Sequence, residues 1–357
     1  MQSSKLLIFG GTFNPFHVGH YTILKQAQKL INPDKSIVVV NNISPHKLTH
    51  APIAGSDRVQ MVKLALKNES NVLVSDYEIQ QKGPSYTYDT LIHFQQQYPH
   101  AEIYLLIGED QWNNFSQWYR CDDILKLCKI IVARRNQDDN NSSAISTDEP
   151  LYVDGLSFPV ASSDLIAHPK KYLLHPDVLN YINDNGLYAI DRIKPLMSDH
   201  RFQHSLRVAT MCEQLMEKHN PSLKRLAFTA GIYHDIAKEM SFADQVKIAE
   251  DVLGIYDFPS PKVLHGYIGA YLLRTNYLFN NDMVLDAISR HTLPFDYYYE
   301  EPSLLAKILY LADKLEPSRT NEDVYGQDIN TYRELAFHNI DSCFIKLYTW
   351  LQSNLAK

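Results

Sequence analysis

Phe9-Gly10-Gly11-Thr12-Phe13-Asn14-Pro15-Phe16-His17-Val18-Gly19-His20 ends the apolar run Lys5–Phe9 and opens the helical periodicity His20–Leu30. Paired glycines between strand and helix let the backbone turn tightly and approach a ligand. The helix start adds N–H groups and a positive dipole end, which suit phosphate. His17 and His20 are one helical turn apart, so both imidazoles project from one side of that turn. They can donate to phosphate oxygens and stabilise charge that develops in phosphoryl transfer. No GxxxxGK(S/T) loop occurs, which argues against a P-loop ATPase.

The same alternation continues to about residue 190. Ser36–Val40 precedes Asp57–Lys67, Val72–Val74 precedes Thr87–Gln97, Ile103–Ile107 precedes Trp118–Leu127, and Lys129–Ala133 follows. This order predicts a parallel sheet of four or five strands, covered on both faces by crossover helices. The polar stretch Asn136–Glu149 reads as a loop that interrupts the domain. An extended segment, Leu151–Val160, and a helix, Pro176–Asn183, follow it. Beyond Asp191 only helical periodicity remains, in Phe202–Lys218, Leu223–Ile236, Phe242–Leu253, His265–Thr275, Val284–His291, Leu304–Leu315 and Ile329–Leu351. The expected organisation is an α/β domain over residues 1–190 and an all-α bundle over 191–357.

The chain's 357 residues are enough for two domains, and 45% hydrophobic against 21% charged content excludes a wholly disordered chain. The net charge is −7 and neither half carries a basic excess, which argues against a nucleic-acid partner. No apolar run approaches the roughly 18 residues of a membrane span. The start MQSSKLLIFGG lacks the longer apolar stretch of a signal peptide, so a cytoplasmic location is expected, with no membrane partner. Cys121, Cys128, Cys212 and Cys343 form no CxxC pair and are expected to be reduced thiols. An oligomer is compatible with the sequence.

GGTFNPFHVGH resembles the nucleotidyltransferase signature with its HxGH element, and more narrowly that of bacterial nicotinate-mononucleotide adenylyltransferases (NadD-like). Further stretches agree in order: Asn42-Ile43-Ser44-Pro45-His46-Lys47, Arg58-Val59-Gln60-Met61, Gly83-Pro84-Ser85-Tyr86-Thr87-Tyr88-Asp89-Thr90-Leu91, Gly108-Glu109-Asp110 with Trp118, and Asn185-Gly186-Leu187-Tyr188. The resemblance covers residues 5–190 and implies a Rossmann-like nucleotidyltransferase fold. It implies adenylyl transfer from ATP to nicotinate mononucleotide, assisted by Mg²⁺ and without a covalent intermediate. On that pattern His17, His20 and Lys47 are catalytic and face phosphates. Asp110 lies near the adenosine ribose. Thr87 and Tyr119 offer backbone N–H groups to the pyridine carboxylate, on whose ring Trp118 stacks. The remaining substrate- and ATP-binding positions are Gly10, Gly11, Thr12, Phe13, His46, Ser85, Gly108, Arg134 and Ser162. One departure stands out: the family's SSTxIR is Ser162-Ser163-Asp164-Leu165-Ile166-Ala167 here, so its phosphate-gripping arginine is Ala167. Lys170 or Lys171 could compensate. A second reading stays open at this point, in which this half is a nucleotide-binding regulatory module and only the other half is an active enzyme.

His204, His234-Asp235, His265, His291 and Asp313 are spread over five helical segments of the second half. Imidazoles and carboxylates suit Fe, Mn, Zn or Co. Leu305, Leu309 and Asp313 are four apart, which puts a carboxylate on an apolar face. Burial of a lone carboxylate costs several kcal/mol, and a metal removes that objection. The order H…HD…H…H…D resembles HD-domain metal-dependent phosphohydrolases. Arg290-His291-Thr292 and Ala312-Asp313-Lys314-Leu315-Glu316-Pro317-Ser318-Arg319 narrow the resemblance to YqeK-like symmetrical diadenosine-tetraphosphate hydrolases. This implies an all-α HD-domain bundle that splits diadenosine tetraphosphate into two ADP with two divalent metals, iron foremost, with Mn, Co or Zn as alternatives. His204, His234, Asp235 and Asp313 would hold one metal, and His265, His291 and a bridging Asp235 the other, which makes Asp235 catalytic as well. Lys238, Lys314 and Arg319 are the candidate phosphate contacts. Another nucleotide, cyclic or guanosine-based, is the alternative substrate.

Overall fold

The computed structural model describes residues 4–42, 53–81, 83, 85–134, 149–154, 160–258, 261–295, 301–320 and 328–355. The chain divides into two compact units, Met1–Val178 and Leu179–Lys357. The division falls within the helix Pro176–Asp184, earlier than the change of periodicity near residue 190 suggests. Hydrogen bonds tie this segment into the second unit. Asn183 Nδ2 donates to the Tyr277 carbonyl (3.0 Å), and Asn183 Oδ1 accepts from the buried Arg192 (3.0 Å).

The first unit holds one parallel sheet of β1 (Lys5–Gly11), β2 (Lys35–Val40), β3 (Val72–Ser75), β4 (Glu102–Gly108), β5 (Lys129–Arg134) and β6 (Leu151–Asp154). The order is β3-β2-β1-β4-β5-β6. Six strands replace the expected four or five, because Leu151–Asp154 pairs with β5 from Ile131 to Arg134. Residues 136–148 of the polar stretch, and 155–159 of the extended segment after it, lie outside the described residues. Alternate residues feed two cores. Leu7, Phe9, Val38, Val40 and Leu106 face one, and Leu6, Ile8, Ile37, Val39 and Leu105 the other. With both faces covered, the strands read as continuous apolar runs. The chain order reverses between β1 and β4, and ligands of such sheets bind beyond the carboxyl ends of the strands at that switch point. β1 ends in Gly10-Gly11 and β4 in Gly108, so two of the sequence motifs border one crevice.

The second unit is helical among the described residues. Its main helices are Asp199–His219, Lys224–Tyr233, Phe242–Asp251, Leu264–Asn276, Asp282–Arg290, Leu304–Leu315, Ile329–His338 and Ile340–Leu355. Ser198, Ser241, Asn281, Ser303 and Asp328 each accept a backbone N–H at a helix start, the preferred capping chemistry. The single helix expected over Ile329–Leu351 is two. Asn339 adopts a non-helical backbone (φ −153°, ψ 97°), and its Oδ1 accepts from Ser342 N (2.9 Å), which starts the next helix. Cys128, Cys212 and Cys343 are buried and free, and burial pushes the Cys128 and Cys343 thiols up to about 12, so they act as core atoms. Among the described residues no helix is long and apolar enough to cross a membrane.

Candidate functional site

At the carboxyl end of β1 the chain turns at Phe13, whose φ is +49°, and not at the glycines. Gly11 is needed for another reason. A Cβ there would lie 2.7 Å from the Phe13 ring, whereas Gly10 faces open space. Phe13 packs edge-on against Phe9 and His20.

His17 is the N-cap of the helix Val18–Ile31. Its Nδ1 accepts from Gly19 N (3.1 Å), and His20 Nδ1 accepts from His17 N (3.3 Å). Each ring therefore carries its proton on Nε2, and the two rings lie 3.8 Å apart. Val18 N donates to the Leu173 carbonyl (2.9 Å). The first N–H groups of this helix are thus taken by the protein, contrary to the expectation that they are open to phosphate. The tautomers of His17 and His20 put the imidazole N–H of each ring on Nε2.

Burial lowers His17 from its usual 6.5 to about 4, so it is neutral near pH 7. Because the unfolded chain takes up this proton first, the contribution to stability is full above about pH 6.5 and is lost as pH falls toward 4. It amounts to about 3 kcal/mol. Urea midpoints measured from pH 7.5 to 4.5 should fall less steeply for His17→Gln than for the parent chain.

Several other motif residues can be placed one by one. Ser162 opens the short helix Ser162–Ala167 and its Oγ donates to the Pro15 carbonyl (3.5 Å), so this motif and the HxGH loop adjoin. Asp110 follows β4 in the helix Glu109–Asn113. Thr87 opens the helix Thr87–Gln97, and the Tyr86 and Tyr119 rings beside it lie 4.8 Å apart, with Tyr119 exposed. Trp118 is half-buried against Phe115 (5.3 Å) and lies before the helix Cys121–Leu127, not in it. Arg134 ends β5 with its guanidinium 4.0 Å from the Tyr152 ring. His46 and Lys47 lie outside the described residues.

Arg58 was legible only as part of a motif. It is 1% exposed and donates to the carbonyls of Thr12 (2.8 Å), Asn41 (2.8 Å), Asn42 (3.2 Å) and Ile53 (3.2 Å), which ties the loops after β1 and β2 together. Arg58→Met leaves these acceptors without that donor and should cost at least about 3 kcal/mol, read as an earlier urea transition of the first unit.

In the second unit six side chains from five segments converge. His204 comes from the helix Asp199–His219 and His234-Asp235 from the end of Lys224–Tyr233. His265 starts Leu264–Asn276, His291 ends Asp282–Arg290, and Asp313 lies in Leu304–Leu315. Two glycines permit these approaches. A Cβ on Gly231 would lie 2.5 Å from Ala209 Cα, and one on Gly266 2.9 Å from the Ser289 carbonyl oxygen.

Asp235 sits between two groups of imidazoles. Its Oδ2 is 3.4 Å from His234 Nε2 and 3.8 Å from His204 Nε2, while its Oδ1 is 3.2 Å from His265 Nε2 and 3.7 Å from His291 Nε2. Asp313 Oδ1 is 3.1 Å from His204 Nε2 and 3.7 Å from His234 Nε2. Two subsets, His204/His234/Asp313 and His234/Asp235/His291, have ligand atoms close enough to share an ion. His234 Nδ1 donates to the Gly231 carbonyl (2.7 Å) and His291 Nδ1 to that of Ile288 (2.6 Å), which leaves each Nε2 as a lone pair facing the cluster. Burial would raise Asp235, but the imidazoles around it, His234 foremost, hold it well below the usual carboxylate range. Burial pulls His265 down to about 4 and lowers His291 as well. Asp235 kept as an anion and His265 and His291 kept neutral are in the protonation states of metal ligands, whereas burial would lower His234 but the charge of Asp235 and Asp313 raises it. His234 Nε2 is fully buried without a hydrogen-bond partner, and a cation would satisfy it. The donor set therefore fits divalent metal.

Cations rim this cluster. Lys238 Nζ is 3.2 Å from His265 Nε2, Lys314 Nζ 3.2 Å from Asp313 Oδ2, and Arg319 Nη2 3.6 Å from Asp313 Oδ1. Arg201, one turn before His204 and missed in the sequence, donates to Asp235 Oδ2 (2.7 Å).

A cytidylyltransferase-like family model matches residues 8–164 and an HD-domain model residues 201–318. A Mycoplasma genitalium protein named "Probable nicotinate-nucleotide adenylyltransferase/Ap4A hydrolase" is 38% identical over 100% of both chains. A Mycoplasma pneumoniae protein of the same name is 33% identical over 98% of this chain and 100% of its own. A Borrelia garinii subsp. bavariensis protein named "Probable nicotinate-nucleotide adenylyltransferase" is 35% identical over 52% of this chain and 95% of its own. Shorter relatives align with half of the chain, whereas the two mycoplasma proteins align end to end, and the chain belongs to their family of two-domain nicotinate-nucleotide adenylyltransferase/Ap4A hydrolase proteins.

Proposed function

We propose that the chain is bifunctional: it transfers the adenylyl group of ATP to nicotinate mononucleotide, and it hydrolyses diadenosine tetraphosphate to two ADP. End-to-end kinship with proteins that bear both activities in their name carries this reading.

In the first unit the 5′-phosphate oxygen of nicotinate mononucleotide attacks the α-phosphorus of ATP, the bond to the β-phosphate breaks, and nicotinate adenine dinucleotide and pyrophosphate form. His17 and His20 donate from Nε2–H to the phosphates and stabilise charge as it builds. Lys47 and His46 assist. Asp110 holds the ribose, and Thr87, Tyr119 and Trp118 hold the pyridine end. Mg²⁺ would neutralise the β and γ oxygens. Ala167 removes one phosphate contact, and Lys170 and Lys171, exposed and close behind it in the chain, are the candidates to replace it.

In the second unit His204, His234 and Asp313 would hold one divalent ion and His265 and His291 another, with Asp235 between them. Iron is the first candidate, and such ions supply Lewis acidity and an activated water. Water attacks a central phosphorus and the bond to the departing ADP breaks. Lys238, Lys314 and Arg319 balance charge on the polyphosphate. Arg201 joins them, since its guanidinium lies at the cluster.

Chromatography of nucleotides after incubation with each substrate set tests both halves. Two ADP from diadenosine tetraphosphate is the expected pattern, and ATP plus AMP would mean a different cleavage.

A further inference from the structure

His204 differs from its neighbours in what stands behind the ring. The Nδ1 atoms of His234 and His291 meet neutral carbonyls, whereas that of His204 meets a carboxylate, Glu316 Oε1, at 3.4 Å. Glu316 is 1% exposed and lies just past the helix Leu304–Leu315 that carries Asp313. Its other contacts are all donors: Arg207 Nε (2.8 Å) and Ser318 N (2.8 Å) to Oε2, and Ser318 Oγ (2.5 Å) and, more distantly, Arg319 Nε (3.7 Å) to Oε1. The turn itself is locked by Arg333, which donates to the carbonyls of Leu315 (2.8 Å), Glu316 (2.9 Å) and Arg319 (2.8 Å). One imidazole is thus held between two carboxylates of a single helix end, Asp313 at Nε2 and Glu316 at Nδ1.

We propose that Glu316, clamped by Arg207 and Ser318, is the positioning residue that fixes the tautomer and orientation of His204 and so sets the affinity of the metal position that His204 shares with His234 and Asp313. A carboxylate behind a ligating imidazole keeps the proton on the far nitrogen and strengthens the near one as a ligand. The clamp spends three donors on Glu316, which orients it toward one ring and away from bulk water. The inference rests on reading the cluster as a metal centre.

The test is Co²⁺ titration of the chelator-stripped full-length protein, followed by visible d–d absorption and by calorimetry. The parent chain should bind two ions. Glu316→Gln keeps the volume of the side chain but brings an amide N–H₂ toward donors. It should weaken one of the two sites roughly 10–100-fold, leave the other in place, and alter the absorption band of the weakened site. A purely structural role would lower the melting temperature without changing the affinity of the folded protein. A folded Glu316→Gln protein with both affinities within about twofold of the parent overturns the proposal. If that variant fails to fold, Arg207→Met takes its place, and an unchanged weaker site there overturns the proposal as well. Failure of the parent chain to bind Co²⁺ would instead sink the metal-centre reading itself.

Discussion

Replacing Asp235 by asparagine should abolish cleavage of diadenosine tetraphosphate, by on the order of 10³-fold or more. Lewis-acid stabilisation of a phosphoryl oxygen is worth several kcal/mol, and about 4 kcal/mol is a factor of 10³ in rate. Asp235 faces His204 and His234 with one oxygen and His265 and His291 with the other. An amide keeps one oxygen and presents N–H₂ on the remaining side, so one group of imidazoles must lose its anionic partner. Metal content per chain, measured by atomic emission, should fall with the rate. Formation of nicotinate adenine dinucleotide should be unchanged, because Asp235 belongs to the other compact unit. A variant with normal metal content and undiminished cleavage would remove Asp235 from the reaction.

The second large effect is on adenylyl transfer. His20→Ala removes one of two Nε2–H donors and should lower kcat by about 10²–10³-fold, the range found when a preorganised donor to a transition state is lost. KM for ATP should move little, since a donor used mainly as charge develops contributes mostly to kcat. The His20 ring also packs against Phe13 (5.1 Å) and Phe16 (5.4 Å), so a melting curve must accompany the rates. His20→Gln, which keeps a donor of similar reach, should recover part of the rate. A large fall in stability with an unchanged rate per folded molecule would assign His20 to packing alone.

The sequence made the two-part organisation legible because the strand runs and the helical periods are long and unbroken. The extra strand Leu151–Asp154 was harder: it is four residues long and stands behind a polar stretch, so its pairing with β5 depends on the sheet edge already being there. The break at Asn339 was hidden by apolar residues that continue on both sides of it. The six His and Asp positions could be singled out because charged groups recur on apolar helix faces. What the sequence could not supply was the division of the two Asp235 oxygens between imidazole groups, since that follows from how five segments cross. The close crossings at Gly231 and Gly266 belong to the same class. Glu316 and Arg58 were invisible as actors for a related reason. Both are charged side chains that also reach partners distant in sequence, and only burial among those partners distinguishes them from surface residues. The helix start after β1 misled in one respect. Its N–H groups, read as open to phosphate, are taken by His17 and by the Leu173 carbonyl.

The most direct measurement is chromatographic. The full-length protein would be incubated with Mg²⁺, ATP and nicotinate mononucleotide, and separately with a divalent metal and diadenosine tetraphosphate, with every nucleotide product quantified. Expected are the dinucleotide with one pyrophosphate per turnover in the first mixture and two ADP per substrate in the second, with His20→Ala impairing only the former and Asp235→Asn only the latter. No dinucleotide from protein that still yields two ADP would contradict bifunctionality, and would leave the first unit as a nucleotide-binding module in which Ala167 had ended the chemistry.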